Sequence, residues 1–202
     1  MDARRKKTPQ PSVTKNPKVI GRQVIYTGRK FDFEQLTVRR PNGKTTQREV
    51  VKHPGAVVVV AIMAKHELVL IRNYRIAVGE RLLECCAGTL EPPEPPRVCA
   101  KRELIEETGY RAAKIAPLGW FYTTPGLTNE KMYAFAATGL THVGQKLEED
   151  ESIDVEIVPV AEALDMVYSG KMRDAKSMLA ILLACKKGLI SETDRPKARR
   201  GR

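Results

Sequence analysis

The segment 88–110 constrains the fold of this chain more than any other, because it combines firm helix boundaries with a high density of carboxylates. Pro95 and Pro96 precede an unbroken run of helix-forming residues, and Gly109 follows that run. Proline fits the first turn of a helix and glycine is favoured just beyond the last, so the pattern predicts a helix over 97–108.

Three glutamates of this predicted helix fall on one side of it. At about 100° per residue, Glu103, Glu106 and Glu107 lie within an arc of roughly 100°. The apolar residues are expected to face a core from largely the opposite side: Val98, Ala100, Leu104 and Ile105. Arg102 stands four residues before Glu106, which is close enough for an ion pair. The helix alone leaves two interpretations open: a solvated acidic face, or a site for a hard divalent cation, which prefers oxygen ligands.

The spacing of these residues matches a known family pattern. Gly88 is followed after five residues by Glu94, and seven residues later by Arg102-Glu103-Leu104-x-Glu106-Glu107-x-Gly109-Tyr110. The segment resembles the Nudix box at each defining position. That resemblance implies an α+β Nudix fold, a mixed β-sheet sandwiched between helices, with an N-terminal antiparallel sheet element. It also implies metal-dependent hydrolysis of a diphosphate linked to another moiety.

The resemblance assigns roles within and beside the box. The expected ligands of a Mg²⁺ or Mn²⁺ cofactor are the side chains of Glu103, Glu106 and Glu107 and the backbone carbonyl of Ala87. Arg102 is expected to orient the catalytic glutamates, Glu107 among them, and Glu94 to support the loop. Cys86 stands where the family commonly has proline. This departure leaves the Ala87 carbonyl in place but is expected to loosen the loop that holds it.

Segments outside the box narrow the resemblance to the ADP-ribose pyrophosphatase branch of the superfamily. They are 48–57, Asn73-Tyr74-Arg75, 84–88 and the Pro-Gly-x-Thr-x-Glu sequence at 125–130. The branch implies hydrolysis of ADP-ribose, or of a related nucleoside diphosphate sugar, to AMP and ribose 5-phosphate. It also implies a homodimer in which the N-terminal sheet elements pair.

By the same resemblance, five residues outside the box are expected to bind substrate: Arg75, Arg48, Phe31, Phe33 and Glu130. A guanidinium group suits phosphate because it carries a permanent charge and a fork of donors. The two phenylalanines share one face of a predicted strand, where they are either core residues or a stacking surface for a purine. Trp120, the single tryptophan, is expected to pack in the core.

An acidic run at 145–152 is by composition a solvated loop. By resemblance it aligns with a mobile loop that carries the catalytic base. Glu149 fits the position of the base and Glu151 that of a further metal ligand. Glu148 remains an alternative base, because a one-residue slip within a loop changes the assignment.

The organisation predicted for the chain is one domain with two tails. Residues 1–18 hold six Lys or Arg and one Asp, and residues 192–202 hold five Lys or Arg and two acidic residues, so most of the formal charge of +11 lies in the tails. We expect both tails to be disordered and able to contact polyanions weakly. The domain spans 19–191, and its first part, 19–52, is predicted to form antiparallel strands for dimerisation and base binding, with a tight turn at Asn42-Gly43.

The composition also bears on location. No run of about 18 apolar residues is present, so the sequence predicts no membrane span. The four cysteines have no metal-ligand spacing and are expected to be reduced thiols in a cytoplasmic protein.

Two alternative functions remain open at the level of sequence. The first is a Nudix hydrolase for another nucleotide, such as a dinucleotide polyphosphate or an oxidised nucleotide. The second belongs to another class: a Nudix module that binds nucleotide or RNA without catalysis. The complete set of glutamates argues against the second.

Overall fold

The computed structural model describes residues 16–64, 66–147 and 152–191, which form two compact units divided between Val51 and Lys52. In the first unit, strands β1 (Lys18–Thr27), β2 (Asp32–Arg39) and β3 (Thr45–Lys52) form a three-stranded sheet in the order β1-β2-β3. The predicted turn is present, because Gly43 has a φ of 83° and its N–H donates to the carbonyl of Arg40 at 2.9 Å. The antiparallel sheet element predicted over 19–52 is therefore confirmed.

Strand β1 lies at the edge of this sheet and carries apolar side chains that are exposed to solvent. The exposed set is Val19, Ile20, Val24, Ile25 and Tyr26. Natural proteins normally cover or charge such an edge, because it offers unpaired backbone groups and apolar surface to another chain.

The second unit is built on a seven-stranded mixed sheet with three helices. In chain order its elements are β4 (Ala56–Met63), β5 (Glu67–Arg75), β6 (Glu80–Glu84), β7 (Cys86–Thr89), α1 (Pro96–Thr108), β8 (Tyr110–Tyr122), β9 (Lys131–His142), β10 (Ile153–Pro159), α2 (Val160–Tyr168) and α3 (Ala175–Lys186). The strand order is β10-β5-β4-β9-β8, with β6 beside β5 and β7 beside β4. β4 and β9 run parallel, whereas β4 pairs antiparallel with both β5 and β7.

Strand β4 shows why helices cover both faces of this sheet. Val58 and Val60 belong to one apolar cluster, which contains residues of α2 and α3. Val57 and Val59 belong to a second cluster, which contains residues of α1. Successive side chains of a strand point to opposite faces, and a strand that is apolar on both faces must be covered on both. The mixed sheet sandwiched between helices, predicted from the sequence, is confirmed.

Helix α1 begins and ends close to the predicted residues. Gly109 ends it with a φ of 73°, and its N–H donates to the carbonyl of Ile105 at 2.9 Å, as expected for a glycine that terminates a helix. The prediction of its packing face was partly wrong. Val98 is exposed, while the carboxylate-bearing Glu103 and Glu107 are buried. The cause is that these glutamates share their side of the helix with the buried Cys99, Ala100 and Leu104 and face β7.

The core assignment of Trp120 was also wrong. Its side chain is 54% exposed and lies edge-on to Tyr122, with ring centroids 5.5 Å apart. The ammonium group of Lys131 lies 4.1 Å from the centroid of the Trp120 ring. This cation–π contact stabilises an aromatic side chain on the surface without burial.

The cysteines and helices agree with two further predictions. Cys85, Cys86, Cys99 and Cys185 are all free thiols. Among the described residues, no helix combines the length and the apolar character that crossing a membrane requires. Most of the two basic tails lies outside the described residues, so the predictions for them stay predictions.

Candidate active site

The first feature of the site is the close approach of helix α1 to strand β7. A Cβ atom on residue 88 would lie 1.8 Å from the Cδ atom of Glu103, so only glycine leaves room for this carboxylate. One turn further along the helix, the carboxylate of Glu107 accepts the backbone N–H of Ala87 at 2.8 Å. Two glutamates of α1 therefore lie directly against the backbone of β7.

Arg102 joins the remaining carboxylates of this region. Its Nε and Nη2 atoms donate to the two carboxylate oxygens of Glu94 at 3.1 and 3.0 Å. Its Nη1 atom donates to Glu103 at 2.8 Å and to Glu106 at 2.9 Å. The hydrogen bond from Arg102 is the main cause that lowers the pKa of Glu94. One guanidinium group thus offsets the mutual repulsion of three carboxylates.

These side chains offer oxygen donors of the kind that hard divalent cations prefer. Within the parts of the chain that the structure describes, no group of three or more acidic, histidine or cysteine side chains is already arranged around a common point to hold a metal ion. Two of the expected ligands, Glu103 and Glu106, instead accept hydrogen bonds from Arg102. The chemistry of the donor set fits a divalent cation, which would share these carboxylates with Arg102. The predicted ligand roles of Ala87, Glu103, Glu106 and Glu107 stay predictions.

A cavity of about 450 Å³ borders β7. Its wall includes Ala87 and Gly88, which are the backbone positions that Glu107 and Glu103 approach. Arg75, Glu130 and Lys176 also line it. The volume is within the range of small-molecule sites, about 300–1,000 Å³, and the wall carries charge of both signs.

Arg75 and Glu84 form a bidentate ion pair at this cavity. Nε and Nη2 of Arg75 donate to Oε1 and Oε2 of Glu84 at 2.7 and 2.6 Å. Lys176 donates from Nζ to Oε2 of the same carboxylate. Burial is the largest single influence on Glu84 and alone would raise its pKa, but the hydrogen bond from Arg75 and the charges of Arg75 and Lys176 together lower it. Glu84 is therefore an anion although its side chain is completely buried.

The first turn of α3 holds Lys176 in place. Asp174 caps this helix by accepting the N–H of Ser177 at 3.1 Å, and it also accepts Nζ of Lys176 at 2.8 Å. The hydroxyl of Ser177 donates to Asp174 and accepts the backbone N–H of Cys85 at 2.7 Å. The start of α3 is thus tied to the short connection between β6 and β7.

Glu130, another residue of the cavity wall, lies beside His53. The hydroxyl of Thr123 donates to Glu130 at 2.5 Å, and Nδ1 of His53 lies 3.9 Å from the other carboxylate oxygen. Nδ1 accepts the N–H of Gly55 at 3.0 Å, so it carries no proton toward Glu130. Burial lowers the pKa of His53, more than the charge of Glu130 raises it. Both observations favour a neutral histidine whose Nδ1 accepts the N–H of Gly55 over a charged pair with Glu130.

The structure brings some of the predicted site residues together and not others. Arg75, Glu130 and Ala87 share the wall of one cavity. Arg48 is exposed on β3, Phe33 is half-buried on β2 and Phe31 is 45% exposed just before β2, all in the first unit. The predicted bases Glu149 and Glu148 and the predicted ligand Glu151 lie outside the described residues.

Sequence reasoning missed the residues that anchor Arg75. Glu84 belongs to the segment 84–88, which carries the resemblance without a role for this glutamate, and Lys176 and Asp174 lie in no motif of the resemblance. The pattern Asp-x-x-Ser at 174–177 is a recognisable helix cap, which gave a local signal for Asp174. Lys176 has no such signal, because its partner lies 92 residues earlier in the chain.

Comparison with known proteins agrees with this geometry. The model of the NUDIX domain family matches residues 52–180, which comprise nearly the whole described part of the second unit. The chain belongs to the NUDIX family and is a Nudix pyrophosphohydrolase. The fold also resembles a solved structure titled as an ADP compounds hydrolase, with a TM-score of 0.75 at 24% identity, covering 87% of this chain and 96% of that one.

Particular relatives are similar over most of their length. The ADP-ribose pyrophosphatase of Bacillus subtilis (strain 168) is 39% identical over 166 residues, 81% of this chain and 90% of the relative. The methanol dehydrogenase activator of Bacillus methanolicus is 37% identical over the same shares of the two chains. The GDP-mannose pyrophosphatase of Enterobacter sp. (strain 638) is 33% identical over 182 residues, 83% of this chain and 94% of the relative.

Proposed function

We propose that this protein hydrolyses the diphosphate of ADP-ribose, or of a related nucleoside diphosphate sugar, to give AMP and ribose 5-phosphate. The observation that carries the proposal is the cavity of about 450 Å³, whose wall contains Arg75 together with Ala87 and Gly88, the β7 residues that the buried glutamates of α1 approach. A guanidinium group suited to phosphate thus lines the same cavity as backbone next to oxygen donors for a metal. The 39% identity to an ADP-ribose pyrophosphatase supports the choice of substrate.

The proposed cofactor is Mg²⁺ or Mn²⁺. The residues that would hold it are Glu103, Glu106, Glu107 and the carbonyl of Ala87, with Glu151 from the acidic segment. When bound, such an ion neutralises the charge of the diphosphate and lowers the pKa of a coordinated water. Arg102 keeps Glu103 and Glu106 at fixed positions through its hydrogen bonds at 2.8 and 2.9 Å.

The other proposed roles belong to this chain's own side chains. Arg75 binds a phosphate group with the N–H donors that are not used in its bidentate pair with Glu84. Glu149, or its neighbour Glu148, takes the proton of the attacking water. Glu130, held by Thr123, accepts hydrogen bonds from the substrate at the far side of the cavity.

We also propose that the first unit contributes base recognition and dimerisation. In this proposal Phe31 and Phe33 stack on adenine, which is supported by the 45% exposure of Phe31, and the exposed Arg48 contributes a positive charge for phosphate. The exposed apolar side chains of the edge strand β1 support a homodimer formed through that strand. Four free thiols support a reducing cytoplasmic location, and the basic tails are proposed to make weak polyanion contacts.

A substrate panel tests the proposal. Purified protein with Mg²⁺ or Mn²⁺ is offered ADP-ribose, GDP-mannose, a diadenosine polyphosphate and an oxidised nucleoside triphosphate. Product formation is followed by chromatographic separation of the nucleotide products from the substrates. We expect ADP-ribose to give the highest kcat/KM, and a far lower value than for the others would overturn the assignment. Faster turnover of GDP-mannose would favour the second candidate, to which the 33% identity with a GDP-mannose pyrophosphatase points.

A further inference from the structure

The carboxylate of Glu84 is shared by two cations at the cavity wall. It is completely buried, and Arg75 and Lys176 both donate to it. A buried carboxylate is stable as an anion only when its charge and lone pairs are fully used by partners. Arg75 alone supplies two hydrogen bonds, at 2.7 and 2.6 Å, and Lys176 supplies the third.

This sharing fixes the direction in which Arg75 presents its remaining donors. A guanidinium group has five N–H donors in one plane, and two of those of Arg75 point to Glu84. The bidentate contact defines the plane, so the other donors must point away from Glu84. Arg75 also lines the cavity and its side chain is 38% exposed, so the donors that do not bond to Glu84 are accessible from the cavity.

Lys176 is itself held from the other side. Its Nζ atom donates to Asp174 at 2.8 Å, and its side chain is only 14% exposed. Asp174 is locked as the cap of α3, and Ser177 of the same turn accepts the N–H of Cys85, the residue after Glu84. Lys176 therefore joins the carboxylate of Glu84 to a rigid helix start.

We propose that Lys176 is a positioning residue for substrate binding. By holding the carboxylate of Glu84, it fixes the plane of the Arg75 guanidinium so that the remaining donors meet a phosphate of the substrate. This inference rests on the proposed function, because it requires that a nucleoside diphosphate sugar occupies the cavity. On this proposal, Glu84 on β6 and Lys176 on α3, both outside the box, determine how tightly Arg75 binds the phosphate of the substrate.

Two substitutions of Lys176 show what its contact with Glu84 contributes. In Lys176→Met the aliphatic stem remains, but Glu84 keeps only Arg75 and gains freedom to rotate. Arg75, still paired with Glu84, can bind phosphate in this variant, but its guanidinium plane is less well fixed. We therefore expect KM for ADP-ribose to rise roughly tenfold while kcat changes far less. Lys176→Arg keeps a donor for Glu84 and is expected to recover most of the loss.

A double-mutant cycle tests whether Lys176 acts through Arg75. KM and kcat are measured for the wild type, Arg75→Ala, Lys176→Met and the double variant, with melting temperatures as a control for folding. If Lys176 positions Arg75, its substitution has little further effect once Arg75 is absent. Fully additive losses, or an unchanged KM in folded Lys176→Met, would overturn the proposal. Lys186→Met, on the exposed end of the same helix, is the matched control and is expected to behave as the wild type.

Failure of the proposed function gives a different result from failure of this inference. The cycle is run with ADP-ribose and with GDP-mannose, and ligand affinity is also measured by calorimetry in a Glu107→Gln background. If the wild-type protein hydrolyses neither ADP-ribose nor GDP-mannose, the proposed function is wrong. The calorimetric affinities for the two ligands still test the coupling of Lys176 to Arg75. If hydrolysis is normal and the coupling is absent, only the role of Lys176 is wrong.

Discussion

The carboxylate of Glu103 occupies the place where a side chain on residue 88 would begin. A Cβ atom at Gly88 would lie 1.8 Å from both Cδ and Oε1 of Glu103. Glu103 is buried against this backbone and is held from the solvent side by Arg102. The absence of a side chain at one residue therefore determines the position of a carboxylate at another.

The variant Gly88→Ala is expected to lose activity much more than stability. The new methyl group meets the end of a flexible side chain, so the fold adjusts by turning Glu103 away rather than by moving a strand. Displacing a catalytic group by about 1 Å costs on the order of 100-fold in rate. Turnover of ADP-ribose and the melting temperature measure the two effects. Gly21→Ala, where an added Cβ has contacts no closer than 3.4 Å, is the control. A loss of stability as large as the loss of rate would contradict the expectation.

The variant Glu107→Gln is expected to fold but to turn over substrate at least about 100-fold more slowly, because an anion is lost at the proposed metal site. Its amide oxygen still accepts the N–H of Ala87, a bond of 2.8 Å in the present structure. Thermal melting and kcat in saturating Mg²⁺ provide the test. Glu91→Gln changes a glutamate that is 72% exposed in the preceding loop and should leave kcat unaltered. Wild-type turnover by Glu107→Gln would remove Glu107 from the catalytic set.

The ion pairs of Glu84 are expected to make the free energy of unfolding depend on pH. Its pKa in the folded protein is lowered, because Arg75 and Lys176 outweigh the effect of burial. The unfolded chain therefore binds more protons here than the folded one as the pH falls below the usual glutamate pKa of about 4.3. The contribution to stability is complete above that pKa and is lost as the pH falls through the lower folded value.

Thermal melts between neutral and strongly acidic pH measure this contribution. The Glu84→Gln variant is expected to be less stable than the wild type at neutral pH, since Arg75 and Lys176 then lack their anion. Its melting temperature should fall less on acidification, so that the two proteins converge. Parallel curves for the two proteins would show that Glu84 does not titrate as the structure indicates.

A charged substitution on strand β1 is expected to change the oligomeric state of the protein. If the exposed apolar side chains of β1 form a dimer interface, Ile25→Lys should shift the protein to monomer in light scattering coupled to gel filtration. Ile25 is 51% exposed, so a lysine is tolerated by the isolated chain. Thr27→Lys introduces the same charge on the same strand without removing apolar surface and is expected to remain dimeric. A monomeric wild-type protein would contradict the proposed dimer.

Local patterns in the sequence predicted the helix of the box well, because its boundaries rest on residues with intrinsic backbone preferences. Pro96 opens α1 and Gly109 closes it with a φ of 73°. Strand β4 is recognisable from local sequence in the same way, since it is apolar at every residue. What surrounds a helix was less predictable. The spacing placed the glutamates on one arc but did not show that the β7 backbone covers Glu103 and Glu107.

Relationships between distant residues could not be predicted from periodicity. The role proposed for Lys176 depends on its contact with Glu84, which lies 92 residues away in the sequence. The residues next to Lys176 show only the start of a helix. Trp120 is a large apolar residue of the kind expected in a core, and its surface contacts with Lys131 and Tyr122 are visible only in the structure. The identification of Glu149 as base rests on resemblance alone, and the substitution of Glu149 remains the direct test.

The bond between Ser177 and Cys85 has a consequence for the synthesis of the protein. The strand that carries Glu84 leaves the ribosome 92 residues before the helix that completes its surroundings. Until α3 has emerged and docked, this carboxylate has only Arg75 as its partner and the connection to β7 is not held. A nascent chain or a truncated product that stops before α3 therefore contains the whole Nudix box and still lacks the contacts of Lys176 and Ser177 with Glu84 and Cys85. If the proposed role of Lys176 is correct, such a product binds substrate poorly until α3 is in place.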